Sequence, residues 1–236
     1  MEYTAAGITE RLEALASPEA AQFAQRFFKT GAGEYGEGDL FRGIRVPVLR
    51  NLSQTLGDTS LPEVTGLLSS AWHEDRLLAL LMLMRRFQRG TEADQEVIYN
   101  IYLAHTHHIN NWDLVDISAP HIVGRFLQYR NREPLYTLVN SGSLWERRIA
   151  ITSTMHFIRQ REFTDTILLA ELLLQDKEEL LHKATGWMLR EVDKRDLAVL
   201  ESFLMKHYRS MPRIMLRYAI ERFSEERRQQ YLKGLA

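Results

Sequence analysis

The sequence predicts an all-α chain, and three observations predict it. Apolar residues recur at helical spacing in stretch after stretch, as at Leu77, Leu78, Leu81, Met84 and Phe87. No segment shows the apolar–polar alternation of period two that a half-buried strand needs. The tryptophans fall at 72, 112, 145 and 187, separated by 40, 33 and 42 residues, and Trp72-His73-Glu74-Asp75-Arg76 is echoed by Trp145-Glu146-Arg147-Arg148. Helix pairs repeating at about 40 residues mark HEAT-type α-solenoids, in which no pair buries its own apolar face and neighbours stack. The expected architecture is therefore a curved α-solenoid of HEAT-like helix pairs, one superhelical domain over residues 1–236.

Each element has its own reason. Residues 7–16 form a first amphipathic stretch, and Ser17-Pro18 restarts the chain with an N-cap serine and a first-turn proline. The second helix runs from Ala20 to Lys29 and closes on Phe27-Phe28. A glycine-rich stretch, about 31–46, then reads as a flexible loop. The four glycines of residues 31–39 lack a Gly-Lys-Ser/Thr and follow no strand, so they are not a phosphate loop. Pro47 opens the next helix, and further helices are expected near 47–57, 61–71, 74–89 and 92–107. Beyond residue 118 they are expected near 119–130, 132–140, 144–160, 163–174, 178–194, 196–208 and 211–222.

Between these two groups lies the stretch around which the chain is organised, residues 110–124. Asn111 is a good N-cap, Trp112 opens a short helix, and Pro120 makes that helix hard to continue. Trp112 and Asp116, four apart, share a helical face, and Asp113 is three from Asp116.

Composition excludes several classes. With no cysteine there is no disulfide framework and no thiolate chemistry, which fits a cytoplasmic protein. No apolar run reaches the roughly twenty residues of a membrane-spanning helix, and the first residues lack a signal-peptide pattern. Formal net charge is −1, but residues 1–110 hold 10 Lys+Arg against 14 Asp+Glu and residues 111–236 hold 20 against 17. The second part is mildly basic. His105, His107 and His108 have neither a His-Glu-x-x-His pattern nor a cysteine partner, so they read as a frayed helix end rather than a metal site.

Three stretches carry chemistry at steps of about one repeat: Trp112/Asp116, Arg147-Arg148, and Lys183 to Glu191 with Gly186-Trp187 inside it. Trp112 to Arg148 is 36 residues, and Arg148 to Trp187 is 39. Each also has a plain structural reading. The tryptophans could be core, Arg148 could cover apolar surface with its stem, and Asp116 could complement a helix dipole. Gly186 costs about 1 kcal/mol in mid-helix, which calls for the close approach of a neighbouring helix or of a ligand.

Asn111-Trp112-Asp113-Leu114-Val115-Asp116, Trp145-Glu146-Arg147-Arg148 and Lys183-Ala184-Thr185-Gly186-Trp187-Met188-Leu189-Arg190-Glu191, taken in that order, resemble the three motif blocks of the DNA alkylation repair glycosylases built from HEAT-like repeats. Arg26-Phe27-Phe28-Lys29 and Pro47-Val48-Leu49-Arg50 extend the likeness toward the start. The resemblance implies hydrolysis of the N-glycosidic bond of cationic N3- and N7-alkylated purines in duplex DNA, without extrusion of the base into a pocket. It implies a catalytic carboxylate at Asp116, substrate contacts at Trp112, Trp187 and Phe27, and a phosphate contact at Arg148. Lys183 and Arg190 are further candidate phosphate contacts by their charge. No cofactor or metal is implied, the expected partner is double-stranded DNA containing alkylated purines, and the expected state is a monomer. The chain departs from the family pattern at Asn111, where a tryptophan is expected, and at Lys177-Glu178-Glu179-Leu180-Leu181, where an aromatic-rich stretch is expected. A DNA binder without turnover and a protein-interaction scaffold are the alternative readings.

Overall fold

In the computed structural model, which describes residues 3–236, helices account for all the regular structure. Among the described residues there is no strand, and one isolated bridge joins Leu40 to Trp72. The chain forms two compact units, one up to Leu114 and one from Val115 to Ala236.

The first unit holds α1 (Ala5–Glu13), α2 (Pro18–Phe27), α3 (Val46–Thr55), α4 (Leu61–Leu68), α5 (His73–Arg89) and α6 (Glu92–Ala104). Ser17 caps α2 through its side chain, as its place before Pro18 predicts. Helix α5 is the axis of this unit, with α3, α4 and α6 packed against it. The spacing of Leu77, Leu78, Leu81 and Phe87 predicts one buried stripe. Instead every residue from His73 to Leu83 is buried, because neighbours cover α5 all round. The glycine-rich stretch ends in a staple onto the start of α5. Glu74 accepts hydrogen bonds from the backbone N–H groups of Arg42, Gly43 and Ile44, at 2.9, 2.7 and 3.2 Å. The guanidinium of Arg42 forks onto Asp75 at 2.8 and 3.2 Å and lies over the Trp72 ring. Glu74 and Asp75 also sit in the first turn of α5, where the helix dipole favours anions.

The boundary between the units falls within α7 (Trp112–Ser118). The second unit continues with α8 (Glu133–Val139), α9 (Leu144–Ser153), α10 (Met155–Arg159), α11 (Thr164–Leu172), α12 (Glu179–Asp193), α13 (Leu197–His207), α14 (Arg213–Ala219) and α15 (Glu225–Lys233). Three outcomes differ from the sequence reading. The helix expected over 119–130 is a π-turn at Pro120–Gly124, closed by Gly124 N–H onto Ala119 O at 2.9 Å. Pro120 has no N–H to continue the α pattern, and a Cβ on Gly124 would lie 2.2 Å from Ser153 O. The helix expected over 144–160 breaks at Thr154. There the buried hydroxyls of Thr152, Ser153 and Thr154 donate to the carbonyls of Arg148, Ile149 and Ile151, a back-bonding that bends helices. Helix α15 was not expected at all.

Candidate functional site

In the first unit, Trp112 belongs to an aromatic cluster. Its ring lies 5.4 Å from that of Phe28 at 27° and 5.9 Å from that of Phe27 at 66°. Phe28 stacks on Phe41 at 5.1 Å, and Phe41 stacks on His73 at 4.6 Å. Phe27 is 54 % exposed and its neighbour Phe23 is 67 % exposed, so one rim of the cluster faces solvent.

Beneath the cluster lies a buried polar network. His73 Nε2 meets Asp113 Oδ2 at 2.8 Å, and His73 Nδ1 lies 3.5 Å from Asp39 Oδ2. Asp39 also accepts from Arg76 at 2.7 Å, from Asn110 at 3.3 Å and from Asn111 at 3.3 Å. Asn111 Oδ1 accepts in turn from the adjacent Trp112 N–H at 2.8 Å, and its amide is fixed from below. Burial pulls the His73 pKa down, but the Asp113 and then the Asp39 carboxylates, facing the two ring nitrogens, outweigh it and push the imidazole up to about 9. Burial likewise raises the Asp39 pKa, and His73, Arg76 and Asn111 more than reverse this, leaving it below the usual carboxylate range. The start of α7 is thus held by charge-assisted bonds.

In the second unit, Asp116 and Arg148 form a two-pronged ion pair. Arg148 Nε donates to Asp116 Oδ1 and Nη2 to Oδ2, both at 2.8 Å, and Nη1 donates to Leu180 O at 2.5 Å. The Arg148 side chain is 6 % exposed and that of Asp116 18 %. Such forks fix the plane of the carboxylate as well as its charge. Of the five N–H groups of a guanidinium these bonds use three, leaving two for a further acceptor.

Trp187 is half-buried on α12, beside Gly186. A Cβ on Gly186 would lie 2.5 Å from both Met215 O and Tyr218 Cβ, so the glycine serves the packing of α12 on α14 rather than a ligand. Lys183 pairs with Glu179 at 2.6 Å on open surface, and Arg190, largely buried itself, pairs with the exposed Glu221. Among the described residues, no three His, Asp or Glu side chains gather to hold a metal. His105, His107 and His108 stack on one another at the end of α6, and His105 Nδ1 bonds Ile101 O at 2.7 Å.

The sequence reading missed His73, Asp39 and Asp113 as a set. Their one local signal was four adjacent polar residues, His73 to Arg76, opening an apolar helix; all four are buried. The pairing of Arg148 with Asp116 across 32 residues had no signal beyond the residue types.

The chain is an all-helical protein with an aromatic cluster in one unit and a forked carboxylate in the other. It is a member of the DNA alkylation repair enzyme family, whose model matches residues 8–223. Membership assigns it to DNA alkylation repair. The fold is shared with a solved structure from Enterococcus faecalis, described as a predicted DNA alkylation repair enzyme. The two align with a TM-score of 0.70 at 17 % identity, over 89 % of this chain and 97 % of the other. No curated protein matches the sequence. Among the described residues, no helix is long and apolar enough to cross a membrane.

Proposed function

We propose that the protein is a DNA glycosylase, acting as a monomer and without a cofactor, that hydrolyses the N-glycosidic bond of cationic N3- and N7-alkylated purines in duplex DNA. The observation that carries this reading is the Asp116–Arg148 fork, a carboxylate of fixed plane that stays partly open to solvent. Alkylation makes the purine a cationic leaving group, so its departure needs little protonation. The sugar then passes through an oxocarbenium-like transition state. A preorganised carboxylate stabilises that positive charge and can orient the attacking water. In this reading Asp116 is the catalytic group, and Arg148 both aims it and offers its remaining N–H groups to a backbone phosphate. Trp112, Trp187 and Phe27 contact the damaged nucleotide, since aromatic faces attract cationic groups by roughly 0.5–2 kcal/mol. Lys183 and Arg190 meet phosphates once their acidic partners let go. The single-domain solenoid expected from the sequence is the scaffold proposed for this action.

The test is release of 7-methylguanine from methylated duplex DNA. Wild-type protein should release it, and Asp116→Asn should fold normally and release it at least about a hundredfold more slowly. Release by Asp116→Asn at the wild-type rate would remove Asp116 from the chemistry. DNA binding by the wild type without any release would favour the non-catalytic binder.

A further inference from the structure

The two ends of α5 are differently equipped. His73 opens it beneath the aromatic cluster, whereas its last two turns carry Arg85, Arg86 and Arg89. At 1.5 Å per residue these arginines lie about 20 Å along the helix from His73. They border a cleft of about 280 Å³ with an apolar lining that includes Leu56, Leu61, Met82 and Ile98.

The charges of this cleft are unbalanced. Asp94 is the one acid in its lining, and its Oδ2 already accepts from Thr91 N at 2.9 Å and Thr91 Oγ1 at 2.7 Å in the cap of α6. Arg86 donates to the Gly57 carbonyl at 3.1 Å, and burial draws its pKa below the ordinary arginine value, with Asp58 opposing. Among the described residues, neither Arg85 nor Arg89 forms an ion pair. Cations near a helix C-terminus do complement the dipole, for about 0.3–1 kcal/mol each. That role asks only for exposed charge, and accounts neither for a partly desolvated guanidinium nor for an apolar lining beside it.

We propose that this cleft binds a small amphipathic anion, with one carboxylate or phosphate group set against Arg85, Arg86 and Arg89 and an apolar body resting on Leu56, Leu61, Met82 and Ile98. Its volume lies at the small end of ligand pockets, which suits a short chain or a single ring rather than a nucleotide. An anion there restores to Arg86 the compensation that burial removes. The apolar contact separates such a ligand from a bare counter-ion, because each buried CH₂ contributes about 0.8 kcal/mol, and two give roughly tenfold in affinity. The cleft shares no residue with the Asp116 fork, and its ligand does not depend on the glycosylase reading.

Calorimetric titration of the full chain with octanoate, phenyl phosphate and inorganic phosphate tests this. Saturable binding of octanoate or phenyl phosphate, at least about tenfold tighter than inorganic phosphate, is the expected result. Arg85→Gln and Arg89→Gln, both at partly or fully exposed positions, should keep the wild-type circular dichroism and each weaken binding about tenfold. Equal affinity for inorganic phosphate would reduce the cleft to a counter-ion site and overturn the proposal. So would the absence of saturable binding, or unchanged affinity in both variants.

Discussion

Two ionised side chains are fixed by opposite charges, and each makes a prediction at the scale of the residue. Arg148 holds both oxygens of Asp116, so Arg148→Ala should remove the two-pronged anchor that fixes the plane of that partly buried carboxylate. In the proposed reaction, misplacing the Asp116 carboxylate by about 1 Å can cost about a hundredfold in rate, and base release by this variant should fall by that order while its circular dichroism stays unchanged. His73 sits between Asp113 and Asp39 with a pKa of about 9, above the roughly 6.5 of an unfolded chain. The folded state therefore holds the proton more tightly. The stability it contributes is fully present below about pH 6.5, declines above that, and is gone above about 9. Arg76 opposes the charge from the same helix, and Asp39 and Asp113 face it from the loop and from α7. His73→Phe keeps a ring to stack on Phe41 but cannot titrate. Its denaturant midpoint should vary less between pH 6.5 and 9.5 than that of the wild type, and an equal loss in both would take His73 out of the network.

At the scale of the element, Gly186 shows how a sequence signal can be sound and its cause still open. Glycine in mid-helix announces a close approach, and the structure identifies what approaches as α14. In Gly186→Ala the new methyl would press on Met215 O and Tyr218 Cβ at 2.5 Å, forcing α12 and α14 apart at about 1–3 kcal/mol. For a chain of this size that lowers Tm by several degrees in a thermal melt, and an unchanged Tm would show that the helices can part freely. Most helices were legible because their caps and periodicity are local: Ser17-Pro18 starts α2, and Leu77, Leu78, Leu81, Met84 and Phe87 recur along α5. What was illegible depended on neighbours. Helix α15 buries only Tyr231 among its residues and so carries no stripe to read. The break at Thr154 needs three hydroxyls turned back onto their own helix, a choice that burial makes. The site divides in the same way. Trp112 and Asp116 stood out by residue type within one short helix, whereas Arg148 beneath Asp116 and His73 beneath Asp113 are contacts between segments 32 and 40 residues apart.

At the scale of the whole molecule, the question is how a chain of net charge −1 engages a polyanion. A count of Lys and Arg overstates what is on offer, since Arg147 is bound to Asp176, Arg148 to Asp116, Lys183 to Glu179, Arg190 to Glu221 and Arg222 to Asp193. A phosphate that recruits one of these cations must displace its carboxylate. Exposed pairs resist little, at about 0–1 kcal/mol, and Glu179 and Glu221 are 60 % and 54 % exposed. Lys183 is therefore the cation whose partner a phosphate can most readily replace, whereas Arg190 is only 22 % exposed and Arg148 is held by a nearly buried fork. Each phosphate contact adds about 0.9 to the slope of log affinity against log salt. Lys183→Ala and Arg190→Ala should each lower that slope by about one for duplex DNA. Glu179→Gln should act oppositely, releasing Lys183 and tightening binding at low salt with no change in fold. If Glu179→Gln leaves both affinity and slope unaltered, Lys183 does not face the duplex, and the phosphate contacts must be sought among other cations of the second unit.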